Sequence, residues 1–428
     1  MQMNRHSNFK TANFAVQVLV VCVLLAAILL TLKNSRKSSF NDSDLTFSRL
    51  EVPVESNAFW TLLKATNQVY WPHSLETKLD DLSDNTNWDD SLASDILKTN
   101  QACLDLFDES LQQPFLLVPE PKTYADDDSY LGGWRAISRI ASIRANALFH
   151  AKRDKEAFAA ALKIIQFGHR AENSGGAIIH YLTGSSIKSF GLQRIRQMTA
   201  QTTLTEAELK PLIFELESFK PKGEGFTNAV KAEYKTECNL CDDFAAGKIP
   251  AETNANPQLT SIGIKPLFSA TKTKMKFAQA DRVLLNSFPK PFSDISWTDL
   301  PVVGTNVPVW KRMITGNAIG GFLFELMKPS VKSFASTKSR EDVNVRATQL
   351  LLALKIYSLR HDKFPESLSE LVPEFFPQAP MDDFDGKPFR YLPDKKLIYS
   401  VGPDFKDSGG EGSRKNSKDY DLPFKIEF

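Results

Sequence analysis

The sequence predicts a mainly α protein in three parts: an N-terminal transmembrane helix, an irregular helical domain, and a small α+β C-terminal domain with a helix laid on an antiparallel sheet. Three observations lead there. An uncharged apolar run stands near the start, helical spacing of apolar residues persists through the middle, and the last ninety residues turn to short alternating runs punctuated by Gly, Pro and Asp.

The apolar run is Phe14 to Leu32, "FAVQVLVVCVLLAAILLTL", nineteen residues without a charge. At about 1.5 Å rise per residue it nearly crosses the roughly 30 Å hydrocarbon core of a bilayer. A cleaved signal peptide has a shorter apolar region ending at small residues. This run passes instead into "KNSRKSS", so an uncleaved single-pass anchor is expected over residues 1–37. The flanking bases, Arg5 and Lys10 before it and Lys33, Arg36 and Lys37 after it, do not orient the span.

A helical domain is expected over 38–335. Trp134, Ile137, Ile140, Ala141, Ile143, Ala147 and Leu148 follow three-and-four spacing, "KRDK" interrupts, and Phe158, Leu162, Ile165 and Phe167 line a second helix from Glu156 to about Ala171. So short a turn makes the two antiparallel. A third helix runs from Ala177 to Met198, and a fourth starts near Thr205, where Glu208 completes a capping box. "FTNAVKAEYKTECNLCDDFAAG" and "FSATKTKMKFAQADRVLLNSF" are two more helices, and "ITGNAIGGFLFELM" is a packed helix start. No fixed-period repeat is present.

The third part is expected over 339–428. A helix from Ser339 carries Val343, Ala347, Leu350, Leu351 and Leu354 on one face, with Glu341 and Asp342 suited to its positive end and Arg360 and His361 to the other. Phe364-Pro365 ends it. The short helix "ESLSELV" follows, then a hairpin turning at "PDK" with Phe389 and Tyr391 on one arm and Leu397, Tyr399 and Val401 on the other. "PFKIEF" supplies the last strand.

Several function classes are disfavoured by what the chain lacks. Its net charge is +1 with no long basic segment, which argues against nucleic acid as a partner. Four cysteines are too few for a disulfide scaffold. The Cys238–Cys241 pair falls inside a helix with no second pair to complete a zinc site, so core cysteines are expected there, with a local disulfide open if the domain is external. No G-x-S-x-G, H-E-x-x-H or phosphate-loop motif is present.

From about Val343 onward, "FPESLSELVPEFFP", "DDFDGKPFRY", "LIYSVGPDFKDSGGEG" and "DYDLPF" resemble the globular part of the major pseudopilin of type II secretion. They also resemble the ends of membrane-anchored, mostly uncharacterised bacterial proteins of planctomycete and verrucomicrobial type. The chain departs from a pseudopilin in three ways: Val18 stands where the mature helix would carry its glutamate, roughly 300 residues separate the span from the cassette, and Lys406, Arg414, Lys415 and Lys418 enter the acidic loop. No processing by a prepilin peptidase is therefore expected.

The resemblance implies a calcium loop, with Asp404, Asp407, Asp419 and Asp421 and carbonyls near Val401 as ligands to an ion that takes six to eight oxygens. A solvated turn whose acids pair with its lysines is the alternative. The function expected is non-enzymatic assembly or binding at the bacterial envelope. The chain would be held in the cytoplasmic (inner) membrane by its single span, with the bulk outside the cytoplasm and other envelope proteins as partners. An envelope hydrolase with its site among the acids and histidines of the helical domain is the competing expectation.

Overall fold

A computed structural model describes residues 40–46, 49–120, 128–247, 267–301, 317–328, 331–412 and 420–428. The span expected over Phe14–Leu32 lies outside them, and among the described residues no helix is long and apolar enough to cross a membrane. The chain is mostly helical with a small three-stranded antiparallel sheet at its C-terminus.

Four short helices come first: α1 (Ala58–Thr66), α2 (Glu76–Asp84), α3 (Asp90–Thr99) and α4 (Gln101–Gln112). The Asn57 and Asp89 side chains accept from backbone N–H groups of the first turns of α1 and α3, which is how an N-cap relieves those orphan donors. The centre is a stack of three long helices, α5 (Tyr130–His150), α6 (Asp154–Glu172) and α7 (Ile178–Gln201). α5 joins the buried clusters: Trp134 and Ile137 pack with Phe59, Phe107 and Phe167, Ile143 with Leu79 and Leu82, and Phe149 with Phe158 and Tyr181.

α6 and α7 touch backbone to backbone. A Cβ on Gly168 would stand 2.4 Å from the Lys188 nitrogen, and one on Gly184 would stand 2.6 Å from the Glu172 nitrogen. No larger residue permits that approach, which sets Glu172 directly against Lys188. α8 (Glu206–Glu217) opens with the expected capping box between Thr205 and Glu208. α9 (Gly223–Ala245), α10 (Ala270–Ser287) and α11 (Ala318–Met327) complete the helical layer, each close to its expected place.

α12 differs from its expectation. It runs from Val331 to His361, so Glu341 and Asp342 are interior and buried rather than first-turn residues favouring a dipole. Its apolar residues are not confined to one face: Val345, Leu352, Ala353 and Ile356 are as buried as Val343, Leu350 and Leu354. α7 and α8 cover one side and the sheet end covers another. The core is accordingly continuous from Leu45 through α12 to Ile426, and no break in packing falls at residue 338.

The segment "ESLSELV" forms a single 3-10 turn, Leu368–Leu371, closed by a capping box between Ser367 and Glu370. The sheet follows in the order β1 (Arg390–Leu392), β2 (Leu397–Ser400), β3 (Leu422–Lys425), with Tyr391 opposite Ile398 and Ile398 opposite Phe424. The turn is the expected "PDK", Pro393–Lys395, and Lys396 adopts the left-handed conformation that ends it.

Candidate functional site

The expected metal loop lies between β2 and β3. Gly402 has φ +69°, and a Cβ there would meet the Tyr420 carbonyl oxygen at 2.6 Å, so glycine is required where the chain leaves β2. Asp421 is fully buried. Its Oδ2 accepts from the Gly410 nitrogen at 2.7 Å and the Ser408 nitrogen at 3.1 Å, while its Oδ1 has no donor among the described residues. Asp404 Oδ1 accepts weakly from the Lys406 nitrogen at 3.4 Å, and its Oδ2 is likewise buried without a donor. Asp407 is exposed. It accepts from the Tyr399 hydroxyl at 2.9 Å and the Gly409 nitrogen at 3.0 Å, and its Oδ2 lies 3.7 Å from Arg390 Nε. Asp419 lies outside the described residues.

Burial, then the nearby charges of Asp407 and Asp404, push the Asp421 carboxyl up. The structure thus brings three of the four acids into one neighbourhood, with one oxygen each of Asp404 and Asp421 buried without a donor among the described residues. Among the described residues, however, no three acidic, histidine or cysteine side chains converge to hold a metal ion. Two free carboxylate oxygens are a fraction of what calcium takes.

Asp382, which is not among the expected ligands, organises this end of the molecule. It is fully buried, and its carboxylate accepts from the Phe384 nitrogen at 3.0 Å, the Ser400 hydroxyl at 2.9 Å and the Val401 nitrogen at 3.0 Å. Its neighbours are fastened too. Asp383 binds Lys338 of α12 at 2.8 Å, Phe384 enters the core, and Asp385 binds Arg390 at 2.5 Å. The one visible signal was the density of acids in "DDFDG", since each needs a donor and only a fold can supply three at once.

A second constellation lies deep between α6, α7 and α12. Lys188 donates to Glu172 at 2.7 Å, to the Phe219 carbonyl at 2.8 Å and to Glu341, and the Tyr181 hydroxyl donates to Glu341 at 2.9 Å. Lys188 and both acids are almost wholly out of water. Burial and then the Glu172 charge push Glu341 up to about 8, and burial raises Glu172 as well. Two acids around one base therefore hold an extra proton near neutrality. Lys328 repeats the pattern, 2.6 Å from Asp281 and 2.8 Å from Glu237, both fully buried and both pushed up by burial.

The described histidines of the helical domain stand in separate surroundings. His169 is driven down to about 3 by burial and the Lys188 charge, so it is neutral beside Glu172. His150 stacks on Trp88 and bonds Asn85 Oδ1 at 2.8 Å. His180 meets the Tyr130 hydroxyl at 2.6 Å and lies 3.6 Å from Asp128, and it is 5% exposed. Cys238 and Cys241 are free thiols one turn apart on α9. Burial pushes Cys238 up to about 11, away from thiolate chemistry.

Comparison of the chain with protein-family models, with curated proteins and with solved structures finds no match.

Proposed function

We propose that the chain is a membrane-anchored bacterial envelope protein whose folded body lies outside the cytoplasmic membrane and serves in binding or assembly rather than catalysis. The observation that carries this reading is the way the chain following the apolar run is fastened. Eight residues after Leu32, Phe40 packs against the core, the Tyr234 hydroxyl donates to Asp42 at 2.7 Å, Arg282 holds both Asp44 and the Asn41 carbonyl at 2.8 Å, and Leu45 is buried. A tether so short, bolted to α9 and α10, holds the whole body beside the bilayer that receives the span. The likeness of the C-terminal cassette to the type II secretion pseudopilin supports an external location and envelope partners. It also supports calcium at the C-terminal loop, with Asp404 and Asp421 as ligands joined by Asp407 and Asp419.

Two measurements test it. The full chain should stay with membranes through alkaline carbonate extraction, and an alkaline phosphatase fused after Phe428 should be active. Release by carbonate would refute the anchor. Activity solely from a cytoplasmic reporter at the same position would reverse the topology.

A further inference from the structure

A cavity of about 320 Å³ opens where the tethered segment meets α9 and α10. It is lined by Asp42, Thr46, Arg49, Lys231, Lys235 and Asp242, among others. That volume is at the lower end of small-ligand sites. Its cations are unevenly used. Lys274 is spent on Asp242 at 2.7 Å, and Asp42 already accepts the Tyr234 hydroxyl. Lys231 donates to the Thr46 carbonyl at 3.2 Å and its charge also acts on Asp44, while Lys235 is exposed at the rim with no partner among the described residues.

Arg49 is the informative member. One terminal nitrogen of its guanidinium donates to the Val118 carbonyl, while Nη1 is out of contact with water and has no acceptor among the described residues. Burial pulls its pKa down, and the Glu120 charge nearby works against that fall. A guanidinium N–H shut away from water without an acceptor is costly unless something else fills the place. A planar donor that shares a cavity with two ammonium groups suits a phosphate-type oxyanion, whose several oxygens can accept from all three.

We infer that this cavity binds a phosphate-class anion through Arg49, Lys231 and Lys235. Its setting names two sources. Asp42 and Thr46, on its wall, are within fourteen residues of Leu32, so a phospholipid headgroup of the membrane that holds the anchor is within reach, and a free phosphate would satisfy the same donors. Only the lipid source rests on the membrane-anchored reading; the anion site does not.

The test uses the full chain in a neutral detergent with chloride as the background anion. It is titrated calorimetrically with inorganic phosphate and, separately, with dihexanoyl phosphatidylglycerol below its micelle concentration. Saturable one-to-one binding is expected, weakened about tenfold or more by Arg49→Gln and by Lys235→Glu, each of which removes one charge-assisted contact. Lys235 is exposed and makes no internal bond among the described residues, so its variant keeps the fold. Lipid binding much tighter than phosphate identifies a headgroup; equal affinities identify the free anion. No saturable heat with either probe, or binding indifferent to both substitutions, overturns the site even where carbonate extraction upholds the anchor.

Discussion

Lys188 on α7 donates to Glu341 on α12 across 153 residues of sequence, with both side chains out of reach of water. The contact joins the central helical stack to the helix that carries the C-terminal sheet. Removing the lysine leaves the Glu172 charge buried without its base. Lys188→Met should cost about 3–5 kcal/mol in urea melts, and Lys188→Met with Glu172→Leu should recover much of it. A loss under about 1 kcal/mol for the single variant would mean that water reaches the acids and the clamp is not where stability resides.

The same cluster sets a pH dependence. In the folded chain the Glu341 carboxyl is pushed up to about 8, whereas in the unfolded chain it returns to the ordinary glutamate range near 4.5. Between those values the folded state keeps a proton that the unfolded state has released. Its contribution is therefore complete in acid and declines as pH rises toward 8. Glu341→Gln keeps an uncharged acceptor and cannot lose that proton. Stability measured from pH 5 to 8.5 should fall more steeply for the parent chain than for the variant, and parallel curves would show that Glu341 is already ionised.

Local signals in the sequence read true where the physics is local. Thr205 and Glu208 cap α8, Pro393–Lys395 turns the hairpin, and Cys238 and Cys241 sit inside a helix as expected. What stayed hidden depends on partners far along the chain. Glu341 looks like a dipole-favouring first-turn acid until α7 supplies Lys188, and the stretch after Val331 looks polar although Phe334, Ala335 and Lys338 are buried. A helix covered on several sides hides its periodicity, which is why α12 showed one apolar face in sequence and several in the fold. At the loop, the type and nearness of Asp404, Asp407 and Asp421 were legible, but the dominant carboxylate, Asp382, was not, because its donors come from Phe384, Ser400 and Val401.

Leu350 and Leu354 have no exposed surface, so each change to alanine should cost about 2–5 kcal/mol. Because their surroundings include α7 and α8 as well as the sheet, residues 339–428 expressed alone would expose that side of α12. They should then lack a cooperative thermal transition. A sharp, reversible melt of that fragment would show that the sheet and 3-10 turn suffice to close its core.

Asp382→Ala should be among the most damaging single changes in the C-terminal region. It strands the Phe384 and Val401 nitrogens and the Ser400 hydroxyl in a place that water does not reach, at a cost of about 3 kcal/mol or more in total. Asp382→Asn retains acceptors for part of the set and should lose less. Equal losses for the two variants, read from chemical melts, would mean that the charge on Asp382 matters and its geometry does not.

Calcium binding at the C-terminal loop would draw on the two buried oxygens that have no donor, Asp404 Oδ2 and Asp421 Oδ1. Without an ion these groups repel one another, which is part of why the Asp421 carboxyl is pushed up. An ion that binds only the folded state stabilises it by RT ln(1 + [L]/Kd), about 2.7 kcal/mol at a hundred times Kd. Melts of the full chain in chelator and then in millimolar calcium should show a rise in midpoint, with magnesium giving much less because it demands a smaller and stricter octahedron. Asp421→Asn still offers one oxygen to the Ser408 and Gly410 nitrogens and puts an amide where the unpaired oxygen stood. Paired with Asp404→Asn, it should abolish the calcium increment while leaving the ion-free midpoint unchanged or slightly higher, since the repulsion is gone. If calcium leaves the parent midpoint where it was, Asp421 serves only as the hydrogen-bonded hub of a tight turn.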